Sequence, residues 1–155
     1  MDYIQHNREE HEKAKAMAKE IENTTSAEKK GRLFQDLYVM IYGHHHGEEK
    51  AVFPVVMKKV TTKRDKDILY ALAAEHSLIA FQFSVVNQTS VDNETWPAKF
   101  SVLMEVLEHH MEEEENKFTK LAQRLLSREK LEFLLGQWEE AAKKYAKEKR
   151  TDLSQ

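Results

Sequence analysis

Histidines at near-equal intervals are the residues of this chain whose type and spacing could do chemistry. The sequence holds eight histidines and no cysteine in 155 residues. The absence of cysteine excludes disulfides, thiolate metal sites and iron–sulfur clusters. Imidazole and carboxylate groups remain as metal ligands. Four histidines stand 34, 31 and 34 residues apart: His11, His45, His76 and His110.

Two of these histidines begin the same nine-residue pattern, His-x-x-x-Glu-x-x-x-Phe, at residues 45–53 and 110–118. A step of four residues in a helix puts the histidine and the glutamate on one face, one turn apart. The two glutamates are Glu49 and Glu114. The shorter His-x-x-x-Glu spacing is weak evidence alone in so acidic a chain, but its repetition with a following phenylalanine favours a shared role.

The elements that must position these residues are helices. Glycine and proline together number six, charged residues make up 33% and hydrophobic residues 41%, which is typical of one helical domain. Apolar residues recur at helical spacing, and polar capping residues such as Ser26, Thr95 and Ser127 separate the blocks. The predicted helices cover residues 3–22, 27–60, 63–87, 96–126 and 128–148.

Short connections between amphipathic helices favour antiparallel neighbours, hence an all-α, up-down-up-down four-helix bundle over residues 1–126. Residues 127–155 are expected to form a short fifth helix, packed on the bundle, and a charged, frayed tail. Pro54 is expected to kink or end the second helix near Ala51. Gly43 and Gly47 indicate either a poor helix or room near a cofactor.

Near-equal histidine spacing in such a bundle returns the chain to the same height after each loop. The four histidines and two glutamates should therefore lie in one inward layer. Bare buried carboxylates are costly, and a metal relieves that cost. Six ligands of this kind suit two iron ions bridged by carboxylates better than one tetrahedral zinc. Manganese or a mixed metal pair would suit the same donors.

Four segments resemble the hemerythrin (HHE) family. HHHGEEKAVFP (44–54) and HHMEEEENKF (109–118) resemble its two cation-binding segments, while EEHEKAKAMAKEI (9–21) and AAEHSLIAF (73–81) resemble its first and third helices. The resemblance covers roughly residues 3 to 126. It implies that His11, His45, His76 and His110 are terminal iron ligands. It also implies that Glu49 and Glu114 are carboxylate ligands, with an oxo or hydroxo bridge between the two irons.

The sequence departs from the oxygen carriers of that family at two points. Their second histidine on the third helix, one turn after the first, corresponds to Ala80. Their His-x-x-x-x-Asp pair on the fourth helix is His-x-x-x-Glu here. The set of four histidines and two glutamates is more similar to bacterial di-iron repair proteins of iron–sulfur clusters and to the hemerythrin domain of iron-sensing ubiquitin-ligase subunits.

Other histidines compete for the same roles. His6 is the rival of His11 on the first helix, and His44 is the rival of His45 on the second. The Phe53 alignment favours His45. His46 could be an additional ligand or support one, and His109 is expected to flank the site or face solvent. A ferritin-like site is nearly excluded because no Glu-x-x-His occurs in the chain.

The favoured function is a di-iron protein that binds or reacts with O2, NO or peroxide, in sensing, detoxification or iron handling. The alternatives are a reversible oxygen carrier, a small di-iron enzyme such as a peroxide-decomposing catalyst, and a helical interaction module without metal. A net charge of −3 gives no electrostatic case for nucleic acid or an anionic membrane. No signal peptide or spanning segment is expected, so the predicted location is cytoplasmic.

Overall fold

Five helices make up the fold. The computed structural model describes all residues, 1–155. The helices are α1 (Tyr3–Asn23); α2, which runs through Ala27–Gly47, Glu48–Val52 and Phe53–Met57; α3 (Lys63–Asn87); α4, which runs through Trp96–Glu113, Glu114–Phe118 and Thr119–Leu125; and α5 (Arg128–Leu153). The predicted all-α bundle with an additional C-terminal helix is confirmed.

Polar side chains fix where the helices begin. Asp2 accepts a hydrogen bond from the backbone N–H of Gln5 in a reciprocal capping box at the start of α1. Ser26, Thr62 and Ser127 each accept one from the backbone N–H three residues later, at the starts of α2, α3 and α5. These bonds satisfy N–H groups that the first helical turn leaves without a partner.

The apolar core is divided in two along the bundle axis. One cluster of 16 buried residues includes Phe34, Phe83 and Phe100, and a second of 15 includes Val52 and Phe118. Each of the four bundle helices passes from one cluster to the other. Between the clusters every helix contributes buried polar side chains instead of apolar ones, which places all of these polar groups in one layer.

Helix α5 is longer and more firmly packed than expected. It remains helical to Leu153, and Arg150 forms an ion pair of 2.9 Å with Asp36 of α2. Trp138 donates a hydrogen bond of 3.1 Å to the backbone carbonyl of His44. The predicted C-terminal helix is confirmed, and it runs five residues beyond the predicted end at residue 148, because the charged tail also carries apolar residues such as Ala142 and Leu153 that pack against the core.

Glycines in α2 allow this close approach. A Cβ atom added to Gly43 would lie 2.6 Å from the Ala142 carbonyl oxygen, and one added to Gly47 would lie 3.0 Å from the Trp138 ring. Both glycines therefore face α5. Neither reading of these glycines from the sequence was right: they provide room for a neighbouring helix, which is a common reason for glycine in a helix interior.

Helix α3 combines an apolar composition with an open outer face. By length and composition alone it is the one helix that could cross a membrane, and only 28% of its most apolar window is buried inside the bundle. Its inner face supplies Leu72, His76 and Ile79 to the interior. The outer face keeps large apolar side chains in contact with solvent.

Replacing Gly43 with alanine should lower the free energy of unfolding by about 1–3 kcal/mol, because the added methyl group overpacks the contact between α2 and α5. Urea unfolding monitored by circular dichroism measures the change. Gly136 on α5 is the matched control, since an added Cβ there meets nothing within 4 Å. Gly136→Ala should stabilise the chain by about 0.5–1 kcal/mol through helix propensity. Equal effects of the two substitutions would contradict the packing role of Gly43.

Candidate metal centre

Nine polar residues are buried in the bundle, and eight of them form one connected layer at the junction of the two apolar clusters. The layer consists of Asn7, His11, His44, His45, Glu48, His76, His110 and Glu114, each exposing 6% or less of its surface. Helices α1 to α4 all contribute. Histidine and glutamate are rarely buried so completely without a partner that stabilises them.

The possible metal-binding atoms fall into two groups, each within 4.8 Å. His45, Glu48, His76 and His110 form one group, and His11, His44 and Glu114 form the other. Within the first group, the Nε2 atoms of His76 and His110 are 3.1 Å apart. Nitrogen atoms this close and directed toward each other are arranged as they would be around a common ion.

Each of the two carboxylates reaches both groups. Glu114 directs Oε1 toward His11 Nε2 and Oε2 toward His110 Nε2, each at 3.5 Å. Glu48 directs Oε1 toward His76 Nε2 at 3.2 Å and Oε2 toward His44 Nε2 at 3.7 Å. Each carboxylate therefore lies between a histidine of the first group and a histidine of the second, and directs one oxygen atom at each. This is the placement that a bridging carboxylate requires.

An outer carboxylate faces the remaining ring nitrogen of four of the five histidines. Such partners orient a metal-binding imidazole and fix its tautomer. The Nδ1–Oε distances are 3.0 Å for His11 and Glu115, 2.7 Å for His110 and Glu75, and 3.7 Å for both His44 with Glu10 and His76 with Glu49. His45 has no such carboxylate, which sets it apart from the other four.

Two further side chains of α1 hold the central carboxylates. Asn7 donates a hydrogen bond of 2.7 Å to Glu114 Oε1, and its own Oδ1 lies 2.8 Å from His44 Nε2. The hydroxyl of Tyr3 donates a hydrogen bond to Glu48 Oε2. These two hydrogen bonds leave Glu48 Oε1 and Glu114 Oε2 without a hydrogen-bond donor. Tyr3 and Asn7 were not predicted as part of the site, because both residue types also occur in helices that hold no site.

Burial and mutual contacts shift the pKa values of the side chains in this layer away from their usual values. Burial, together with the neighbouring Glu114, raises the pKa of Glu48 well above its usual value. Burial acts in the same direction on Glu114, but hydrogen bonds with His11 and His110 outweigh it and hold the pKa of that carboxyl well below its usual value. Burial opposes protonation of His110, yet its contacts with Glu114 and Glu75 raise its pKa to about 9.

Unpaired atoms indicate that the layer fits a metal. Four buried polar atoms lack a hydrogen-bond partner: His44 Nδ1, Glu48 Oε1, His76 Nδ1 and Glu114 Oε2. The two carboxylate oxygens among them point at the histidine nitrogens of the first group. Buried atoms of this kind are uncommon in proteins. Cations between the carboxylates and the imidazoles would satisfy both oxygens, so the donor set fits metal ions.

The structure brings together five of the six predicted ligands and replaces the sixth. Glu48 is fully buried, whereas the side chain of Glu49 is 40% exposed. The expectation that Glu49 lies inside the layer was therefore wrong. Its carboxylate lies at the rim, beside the outer nitrogen of His76, and Glu48 occupies the position predicted for it.

Two matching wide helical turns identify which residues of α2 and α4 are equivalent. Glu48–Val52 and Glu114–Phe118 are π-helical, and each segment begins at a central glutamate whose carbonyl accepts the N–H five residues later. The structural repeat therefore matches His44 and Glu48 with His110 and Glu114, and not the Phe53-based alignment of the sequence. Pro54 follows the first wide turn directly, so the expected irregularity near Ala51 is a π turn within a continuing helix.

His45 is rotated by about 100° around α2 from His44 and borders a small cavity. Its ring stacks on that of His76 with centroids 3.9 Å apart. The cavity has a volume of about 120 Å³ between α2 and α3, and its lining includes His45, His76 and Ala80. Burial lowers the pKa of His45 well below its usual value, so its imidazole is neutral and has a lone pair available.

The other histidines lie outside the layer. His6 is partly exposed, and the centroid of its ring lies 5.0 Å from that of the Trp138 ring. His46 packs between the rings of Tyr42 and Tyr145. The side chain of His109 is 64% exposed, as expected from the sequence. None of the three belongs to either group of possible metal-binding atoms.

Glu48→Gln should remove most of the bound metal. An amide supplies one oxygen atom and no charge, whereas the carboxylate directs one oxygen atom at His44 and the other at His76. Glu49→Gln is the matched control one residue away, and it should retain the metal. Metal analysis of both variants after anaerobic loading with iron measures the difference, and circular dichroism verifies that both fold. Retention by Glu48→Gln and loss by Glu49→Gln would restore the assignment made from the sequence.

Comparison with known proteins agrees with this geometry. The sequence matches the hemerythrin HHE cation binding domain over residues 2–122. The fold is similar to the crystal structure of a hemerythrin HHE cation binding domain-containing protein from Mycobacterium kansasii, with a TM-score of 0.82 and 20% identity, over 96% of this chain and 89% of that one. No curated protein matches the sequence significantly. Because the family match covers most of the chain and includes every buried histidine, this protein belongs to the hemerythrin HHE cation-binding domain family.

Proposed function

We propose that this protein is a non-haem di-iron protein that binds or reacts with O2, NO or peroxide. His11, His44, His76 and His110 would be the terminal ligands. Glu48 and Glu114 would bridge the two metal ions. The observation that carries the proposal is the direction of the carboxylate oxygens. Each buried carboxylate directs one oxygen atom toward the pair His11 and His44, and the other toward the pair His76 and His110.

The choice of His44 over His45 rests on three features of the layer. His44 stands four residues before Glu48, as His110 stands four residues before Glu114, and both glutamates begin a π turn. His44 also faces an outer carboxylate, as the other three proposed ligands do. His45 instead lies flat against His76, which is the arrangement of a neighbour of a ligand.

Iron suits this donor set on chemical grounds. Neutral imidazole and carboxylate ligands, with no thiolate, are typical of non-haem iron and also suit manganese. Two histidines and two carboxylates would give each ion four protein donors, fewer than the six of an octahedral ion. That would leave room for a small ligand. The metal pair would supply the electrons and the open coordination position for oxygen-derived ligands.

The cavity between α2 and α3 supports a small ligand. Its volume of about 120 Å³ is enough for a diatomic molecule or a peroxide. Ala80 lines it at the position where the family's oxygen carriers have a further histidine. The space left by that small side chain adjoins His76, and the ring of His45 stands beside it, where it can donate or accept a hydrogen bond.

The surrounding side chains act on this site without touching the ligand. Glu75 fixes the tautomer of His110 through a contact of 2.7 Å, whereas Glu49 lies 3.7 Å from His76 Nδ1. Tyr3 and Asn7 orient the two central carboxylates by hydrogen bonds. Apolar lining residues such as Ile41 and Ile79 offer water no hydrogen-bond partner on the inner wall of the cavity. These roles are independent of whether the physiological ligand is O2, NO or peroxide.

Anaerobic loading followed by exposure to air tests the proposal. We expect about two irons per chain, and absorption bands of an oxo-bridged pair that appear in air. Bands that disappear when O2 is removed would favour a reversible oxygen carrier, and an irreversible change would favour sensing or redox chemistry. A folded protein that binds almost no metal would exclude the di-iron proposal and favour a helical interaction module.

Filling the cavity should slow the access of small ligands to the metal centre without loss of metal. Ala80→Phe places a ring where the small side chain leaves space, so azide binding or the reaction with peroxide should slow by about tenfold or more while the iron content stays unchanged. His45→Gln should keep both metals and weaken azide binding. His44→Gln should lose metal, and this difference separates the two adjacent histidines. Loss of metal from His45→Gln with retention in His44→Gln would reverse their proposed roles.

A further inference from the structure

The outer face of α3 exposes large apolar side chains that the bundle does not use. Six large hydrophobic residues are exposed in the whole chain, and three of them lie on this one helix: Tyr70 (60% exposed), Leu78 (54%) and Phe81 (66%). Single exposed apolar residues need no explanation, but a cluster on one helix face is typical of an interaction surface.

The order of residue sizes along this face is palindromic. Positions 70, 74, 77 and 81 are spaced by four, three and four residues, so they form one straight stripe on the helix. The stripe reads Tyr70, Ala74, Ser77 and Phe81, and all four are exposed. Large rings stand at both ends and small side chains in the middle, which allows two such helices to approach closely at the centre.

We propose that this face binds a second copy of the same chain, with the two α3 helices antiparallel about a two-fold axis near residues 75 and 76. In this arrangement Tyr70 of each copy contacts Phe81 of the partner, and Ala74 contacts Ser77. Leu78, beside the stripe, packs on Ala71 and Ala74 of the partner. A two-fold interface requires a surface that is complementary to itself, and this stripe fulfils that condition.

Charge favours the antiparallel arrangement over the parallel one. The start of α3 exposes Lys63, Arg64 and Lys66 against one exposed carboxylate, Asp67, which pairs with Lys63 at 2.7 Å, so this end keeps a net positive charge. The loop after α3 exposes Asp92 and Glu94. Antiparallel pairing brings the basic end of one copy to the acidic loop of the other. Parallel pairing would place the two basic ends together, where like charges repel.

The available area implies a weak dimer. An aromatic side chain covers roughly 150–250 Å², so the exposed parts of Tyr70 and Phe81, with Leu78, contribute on the order of 300–400 Å² per copy. From these three side chains the two copies together bury on the order of 600–800 Å², short of the ~1,000 Å² of a specific interface, so the exposed Ala71, Ala74 and Ser77 must contribute the remainder. We therefore expect a dissociation constant in the range of about 1–100 µM.

Sedimentation velocity of the iron-loaded protein, from about 5 to 500 µM, tests the dimer, a range that brackets the expected constant. The mass should rise toward twice that of the chain. Tyr70→Lys and Phe81→Glu should each shift dimerisation to at least tenfold higher concentration. An equimolar mixture of the two variants should restore it, since the heterodimer joins the new lysine to the new glutamate and keeps one native contact between Tyr70 and Phe81.

Phe133 provides the matched control, because it is 57% exposed on α5. Phe133→Glu should dimerise as the unchanged chain does. A monomer at every concentration would overturn the proposal, and so would a dimer that persists in both single variants. A monomer that binds neutral lipid vesicles and loses that binding on Phe81→Glu would replace the second copy by a lipid surface. Iron content, measured in parallel, separates this outcome from a failure of the di-iron proposal.

Discussion

Two fully buried carboxylates at the bundle axis are the constraint on which the rest of the structure depends. Glu48 and Glu114 expose none of their surface, and two negative charges in such a place are strongly unfavourable unless cations or protonated groups surround them. Four helices each direct a histidine at them, and α1 adds Tyr3 and Asn7. The division of the apolar core into two clusters follows from this polar layer, since no apolar residue can occupy it.

The same constraint explains the second ring of charge around the histidines. Glu10, Glu49, Glu75 and Glu115 stand behind four imidazoles, closer to solvent than the central pair. Each histidine is thus held between an inner and an outer carboxylate. The imidazoles have little rotational freedom as a result, which favours a site that is ordered before the metal binds.

Much of the fold could be predicted from the sequence because helical periodicity and capping residues are local signals. The boundaries of α3 at residues 63 and 87 agree with the prediction, and so does the inward position of His11, His76, His110 and Glu114. In α1 and α4 one face is apolar and the other is charged, so the inward histidine stands out, and His76 is the only histidine of α3.

Helix α2 was harder to interpret for a physical reason. Helix α5 covers part of its outer side, so both His44 and His45 are buried and periodicity cannot choose between them. The choice of Glu49 failed because it relied on aligning Phe53 with Phe118, whereas the matching π turns of α2 and α4 pair Val52 with Phe118. A wide turn depends on long-range packing and has no reliable local sequence signal. The extent of α5 was underestimated because charged residues along its solvent face conceal a narrow apolar stripe.

The π turns have a consequence for how this chain can change in evolution. Each wide turn holds one residue more than an ordinary turn of the same helix. Loss of one residue within Glu48–Val52 or Glu114–Phe118 would therefore restore an ordinary turn and leave the residues beyond it, such as Val56 or Leu121, facing the core. Loss of a residue from a regular part of these helices would instead rotate everything beyond it by about 100°. Relatives should therefore differ by single residues in the loops and in these two turns before they differ in the regular parts of the helices.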